Sequence, residues 1–217
     1  MRTFYLSGIV LVLGIALTGC ANSKLMTQKD LELSAKDQQI AELEQEIARL
    51  EREAGSERQR ADQLNGDLQE ALGDLQDKEK LWLRQKEGMS TISMPNTATF
   101  DSGSTRLTVE GMAIIDKVWE VLARYPDREI LIEGHTDNVP IASEFKDRFA
   151  TNWELSTARA LAVLYYVRDK HNADPKRMSA VGCGEHRPVA DNSGLEGRAK
   201  NRRVVIVVGG QNGLAAK

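Results

Sequence analysis

Apolar residues follow one rule over residues 33–82 and another beyond. A heptad that starts at Leu33 places Leu33, Ile40, Ile47, Ala54, Ala61, Leu68, Leu75 and Trp82 at its first position, all apolar. Its fourth position holds Lys36, Leu43, Leu50, Glu57, Leu64, Ala71 and Lys78, of which four are apolar. A repeat of this kind keeps one seam turned toward a partner helix and predicts a coiled coil. The fifty residues would span about 75 Å as a helix. The charged residues in the fourth position, and Gly55, Gly66 and Gly73, weaken it, each Gly by about 1 kcal/mol relative to Ala. The competing reading is a single polar helix or a partly disordered linker. Ala and Leu are mixed on the seam, so dimer and trimer both stay open.

The pattern changes near Gly88. Thr91 to Met94 reads as a short strand ended by Pro95, and residues 99–108 as a polar loop. Val109, Met112, Ile115, Trp119 and Leu122 recur at helical spacing, with Thr108 as N-cap and Glu110 in the first turn. Tyr125-Pro126-Asp127 stops that helix. Glu129 to Glu133 is a strand, and 138–152 a long loop. A second helix carries Leu155, Ala158, Leu161, Ala162, Tyr165 and Tyr166. Met178 to Val181 and Val204 to Val208 are strands, with a short helix around Leu195 to Asn201 between them. Strands alternating with amphipathic helices predict an α+β or α/β sandwich of one sheet and one helical layer. Residues from Gly210 onward read as a flexible tail.

The N-terminus has its own signature. Arg2 precedes Phe4 to Leu17, which is uncharged and interrupted only by Ser7, Gly8 and Gly14. As a helix this run measures roughly 21 Å, short of a bilayer core of about 30 Å. It reads as a secretory signal. The next residues, Leu17-Thr18-Gly19-Cys20, resemble the lipobox of bacterial lipoproteins. That resemblance implies cleavage before Cys20 and a diacylglyceryl group on its thiol, with an ordinary signal peptide or a short uncleaved anchor as the alternative. Two or three acyl chains, at about 0.8 kcal/mol per buried methylene, give stable membrane attachment. By the same resemblance, Ala21 after the Cys, rather than Asp, implies the outer membrane. The predicted organisation is then a signal peptide (1–19), a helical stalk (20–87), a globular domain (88–209) and a tail (210–217).

Composition narrows the partners. The formal charge of −3 becomes −4 once Arg2 is removed, and nothing in it suggests nucleic acid. The only cysteines are Cys20 and Cys183. With Cys20 acylated, Cys183 has no partner in its own chain, which excludes a disulfide scaffold.

Several separated motifs point to one family. They are Phe100-Asp101-Ser102-Gly103-Ser104, Gly134-His135-Thr136-Asp137-Asn138 and Asn152-Trp153-Glu154-Leu155-Ser156-Thr157-Ala158-Arg159-Ala160. Gly182-Cys183-Gly184-Glu185 with Arg187-Pro188 follows, then Gly197-Arg198 and Asn201-Arg202-Arg203-Val204. Together they resemble the OmpA-like (OmpA/MotB C-terminal) domain over residues 91–208. The resemblance implies a β-α-β-α-β-(α)-β sandwich that binds peptidoglycan non-covalently, without catalysis and without a cofactor. It implies the diaminopimelate of the stem peptide as the ligand group.

Diaminopimelate offers an ammonium and a carboxylate on one carbon, so its receptor needs an anion and a cation close together. Arg suits the second role because its fork grips a carboxylate in two places. By the resemblance, Asp137 is the anion and Arg159 the cation. Thr136 and Asn152 match further polar positions that either bond the ligand or cap the helix. Asp101 and Arg203 match residues lining the family's groove, against readings as a turn residue and a structural ion pair.

Two departures stand out. Residues 139–152 make a longer loop than in short family members, resembling the flagellar-stator branch. The loop either folds over the ligand or lengthens an edge. Cys183 replaces the family's usual aromatic residue and reads as a buried small residue; with no CxxC or paired-His spacing, a metal role beside Glu185 and His186 is not expected. Among rival functions, an enzyme using His135, Asp137 and Ser156 lacks a nucleophile motif. An ion-conducting stator lacks an acid within Phe4 to Leu17.

Overall fold

The computed structural model describes residues 3–77 and 80–210, with side chains over 25–76 and 80–210. The signal-peptide and lipidation expectations, Cys20 included, fall outside the described side chains. Helix α1 runs Thr3–Asp77, and the chain divides into two units, Met1–Gly55 and Ser56–Lys217. Among the described residues no helix is long and apolar enough to cross a membrane.

In the first unit the heptad seam lies in water. Leu33, Ile40, Leu43, Ile47 and Leu50 are all at least half exposed.

The second unit is mixed α+β. After the end of α1 come β1 (Trp82–Lys86), β2 (Met89–Pro95), the single turn α2 (Asn96–Thr99) and α3 (Val109–Leu122). Then follow β3 (Glu129–His135), α4 (Asn152–His171), β4 (Met178–Gly182), α5 (Leu195–Asn201) and β5 (Arg203–Gly209). The strands form one sheet in the order β1-β2-β5-β3-β4, antiparallel except for the β3–β4 pair, which α4 connects as a crossover.

Strand alternation sets the core. Ile92 pairs with Ile206 and Ile206 with Ile132, so all three share a face, and each is at most 3 % exposed. Against it pack Ile115, Val118 and Leu122 of α3 and Ala160, Val163 and Val167 of α4. Thr108 caps α3 as its sequence predicts: its hydroxyl accepts from the Gly111 N–H at 2.8 Å and donates to the Ala98 carbonyl at 2.6 Å. Thr108→Ala loses both bonds and is expected to lower stability by about 1–2 kcal/mol, read from urea unfolding.

Two expectations are corrected here. The predicted coil runs to Trp82, but residues 61–75 spend their seam on their own domain. Leu64, Leu68 and Leu72 belong to the sheet core and are essentially inaccessible, with Ala71 and Leu75 packed beside them. A coiled-coil seam and the buried stripe of an amphipathic helix share nearly the same spacing, so periodicity could not separate them. Polar contacts fix the docking. Tyr125 donates to Asp67 at 2.7 Å, Arg60 pairs with Asp127 at 3.0 Å, and the fully buried Arg128 pairs with Glu57. Burial and the neighbouring Asp67 push the Tyr125 phenol up to about 12.

The second correction concerns Gly88. It is not the start of the domain but the second residue of a hairpin turn. Glu87 and Gly88 have φ of 53° and 75°, the two-residue geometry that joins Lys86 to Met89. Trp82, assigned to the coil, begins strand β1 instead.

The sheet's other face carries Trp82, Leu131, Val181, Val205 and Val207. It floors a cleft of about 1080 Å³, rimmed by Arg84, Lys176, Arg187 and Lys200.

Candidate functional site

At the carboxyl end of β3 the chain leaves the sheet through Thr136 and Asp137, and the start of α4 crosses directly over it. Two glycines allow that approach. A Cβ on Gly134 would collide with the Ser156 backbone, and one on Gly182 with Thr157. This is a packing reason for the glycines of both motifs. Helix α4 begins at a capping box in which Thr151 and Glu154 satisfy each other's neighbouring N–H groups. Two turns further on, Arg159 points back toward the strand end.

Asp137 and Arg159 line the same cavity, about 440 Å³ in volume. Both are nearly inaccessible, at 6 % and 8 % exposure. Asp137 accepts from the Val139 N–H at 3.1 Å and from Arg202 Nη1 at 2.6 Å. An ionised carboxylate has about four acceptor sites, so these two leave capacity for a ligand donor.

Arg159 is differently placed. Its Nε donates to the Ser104 carbonyl at 3.3 Å, and its guanidinium lies 5.5 Å from the centre of the Phe100 ring. Among the described residues no carboxylate forms a salt bridge with it. Burial, reinforced by the nearby Arg202 charge and only partly opposed by Asp137, pushes its pKa down to about 10. A buried cation of this kind gains from any incoming anion.

The remaining predicted residues separate into three groups. Thr136 lines the cavity, and its buried hydroxyl has no hydrogen-bond partner among the described residues. Asn152 also lines it, but its amide is spent on the Asp137 and Val139 carbonyls and on Glu185, which it reaches at 2.5 Å. It holds the loop and the strand end together; the helix cap is Thr151. Asp101 and Arg203 do not line the cavity. Asp101 pairs with Arg106 at 2.5 Å. Arg203 donates to the Asn201 and Arg187 carbonyls and lines the cleft on the other face of the sheet.

Arg202 and Arg198 were missed by sequence reasoning, and both line the cavity. The Arg202-Arg203 pair gave no basis for choosing, because adjacent residues entering a strand point to opposite sides. The long loop also contributes: Pro140, Ile141, Phe145 and Phe149 form an apolar wall. The lining thus holds three guanidiniums and one carboxylate, which suits a ligand with more carboxylates than ammonium groups and some apolar surface.

Two residues of the rival enzyme reading have other partners. His135 sits against Glu133 at 3.3 Å, and burial lowers its pKa. The Ser156 hydroxyl donates to the Trp153 carbonyl and accepts from the Gly184 N–H.

Comparison with known proteins agrees with this architecture. The OmpA family profile matches residues 99–202. Motility protein B of Bacillus subtilis is 38 % identical over 117 residues, covering 54 % of this chain and 44 % of that protein. Outer membrane porin F of Pseudomonas aeruginosa is 38 % identical over 105 residues, covering 48 % of this chain and 28 % of that protein. The chain thus spans less than half the length of either. Among solved structures, the cell wall anchor of the T6SS from Pseudomonas aeruginosa is similar with a TM-score of 0.60 and 31 % identity, covering 66 % of this chain and 97 % of that one. Strand order, motif glycines and these similarities lead to the same conclusion: residues 99–202 form an OmpA-like domain.

Proposed function

We propose that the second unit is a non-catalytic receptor for the peptide stem of peptidoglycan, and that a lipid on Cys20 ties it to the outer membrane. The observation that carries the reading is the buried Arg159, which lines Asp137's cavity with no salt-bridge partner among the described residues. In the bound state Arg159 takes the carboxylate of diaminopimelate. Asp137 takes the ammonium, alongside its bond to Arg202. The Thr136 hydroxyl, without a hydrogen-bond partner among the described residues, supplies a further polar contact. Arg198 and Arg202 attract the stem's other carboxylates, and Phe145 and Phe149 cover its apolar parts. The cell-wall anchor among the similar structures supports this ligand class. The lipobox supports the anchor, and Ala21 with the outer-membrane relative supports the outer membrane. The exposed seam from Leu33 to Leu50 supports self-association of the first unit.

The full chain is expected to co-sediment with isolated sacculi and to be released by free stem peptide containing diaminopimelate. Failure to sediment would overturn the receptor reading. Cys20→Ser is expected to move the protein from the membrane to the soluble fraction while sacculus binding persists. Continued membrane retention of that variant would refute the lipid anchor separately.

A further inference from the structure

A second cluster lies at the inner edge of the sheet's open face, away from the Asp137 cavity. Glu133 and His135 are two residues apart on β3 and so project to the same side. Cys183 follows β4, and its N–H bonds the Gly134 carbonyl at 2.8 Å, which brings it beside His135. One ligand atom from each of Glu133, His135 and Cys183 lies within 4.8 Å of the others. His135 and Cys183 are each 2 % exposed, and His135 Nδ1 is buried without a hydrogen-bond partner among the described residues. Glu133 opens onto the 1080 Å³ cleft, which gives the cluster a route to solvent.

We propose that Glu133, His135 and Cys183 form a binding site for a divalent borderline cation, Zn²⁺ in particular. One thiolate, one imidazole and one carboxylate make a mixed S, N, O set that suits zinc and excludes magnesium and calcium, which take oxygen. Zinc bonds of about 2.0–2.3 Å place tetrahedral ligands roughly 3.5 Å apart, so small side-chain rotations close the site. A fourth ligand would be water entering from the cleft that Glu133 lines.

Two cations oppose a metal here. Arg187 lies 3.2 Å from Glu133, and Arg203 enters from β5 opposite His135. Arg187 is 62 % exposed at its side chain and can turn into the cleft. With a protonated thiol, the Glu133 carboxylate and the two guanidiniums sum to one positive charge. When Zn²⁺ enters, the Cys183 thiol proton leaves to solvent and Arg187 swings out. The carboxylate, thiolate, Zn²⁺ and Arg203 again sum to one positive charge. The exchange therefore proceeds without building net charge in the buried edge. Glu185 and His186 lie outside the cluster: Glu185 is held by Asn152, and His186 stacks on Trp153 with ring centroids 4.9 Å apart.

The test is titration of the full chain with Co²⁺, followed by absorption. One equivalent is expected to produce a thiolate-to-cobalt charge-transfer band with tetrahedral d–d bands, and Zn²⁺ to displace both. Cys20→Ser should keep the bands, and Cys183→Ser should lose them. Arg187→Ala, at an exposed side chain that leaves the fold alone, should tighten Zn²⁺ binding by about tenfold by removing a competing charge. Absence of the charge-transfer band, its survival in Cys183→Ser, or unaltered affinity in Arg187→Ala would each overturn the site.

Discussion

Arg159→Met is expected to abolish retention on sacculi while leaving the fold at least as stable as before. Removing one partner of a buried charge pair costs about 2–5 kcal/mol of binding, roughly thirtyfold or more in affinity. The ligand carboxylate would enter a desolvated cavity and find no fork to receive it. Stability should move the other way. Arg159 is buried, burial pushes its pKa down, and no salt bridge offsets that among the described residues. Met keeps much of the volume and removes the charge, so the melting temperature should hold or rise. Asp137→Asn should weaken binding in parallel, since a neutral amide no longer balances the ligand ammonium. Wild-type retention by Arg159→Met would sink the proposed site. Loss of binding together with a fall in melting temperature would instead mean that Arg159 holds the fold.

The second large effect concerns where the domain begins. A fragment from Ser56 to the end is expected to unfold cooperatively, and one from Gly88 to show no cooperative transition. The shorter fragment lacks Leu64, Leu68, Leu72 and Leu81, each at most 1 % exposed in the shared core. Truncating a single buried Leu to Ala costs about 2–5 kcal/mol, and whole domains are stable by only about 5–15 kcal/mol. The fragment also strands the buried Arg128, whose acid partner Glu57 is gone, and strips β2 of its hairpin partner. Equal melting temperatures for the two fragments would show that the helix is dispensable. Leu68→Ala in the full chain gives the same comparison at one residue, with a loss near the middle of that range expected.

Much of the molecule was legible in the chain. The helix at Val109 begins where Thr108 can cap it, and β2, β3, β4 and β5 lie where the apolar pattern places them. The glycine-bearing motifs mark the ends of β3 and β4 because those ends admit only a hydrogen where α4 crosses. Asp137 and Arg159, separated by 22 positions, were paired by motif and meet at one cavity. Local propensity, alternation and capping act over a few residues, so a linear reading can reach them.

Tertiary structure decided what depends on facing. It turned the seam of residues 61–75 inward, because an apolar stripe does not specify whether its cover is a partner helix or its own sheet. It chose Arg202 over Arg203 for Asp137, because one residue of register reverses the side of a strand end. It made Asn152 a loop clasp, and it excluded Asp101 from the cavity by pairing it with Arg106. It also gathered Glu133, His135 and Cys183 from two strand ends 48 positions apart, at a spacing that matches no metal motif. Distances between strands are set by the sheet, and no one-dimensional spacing encodes them.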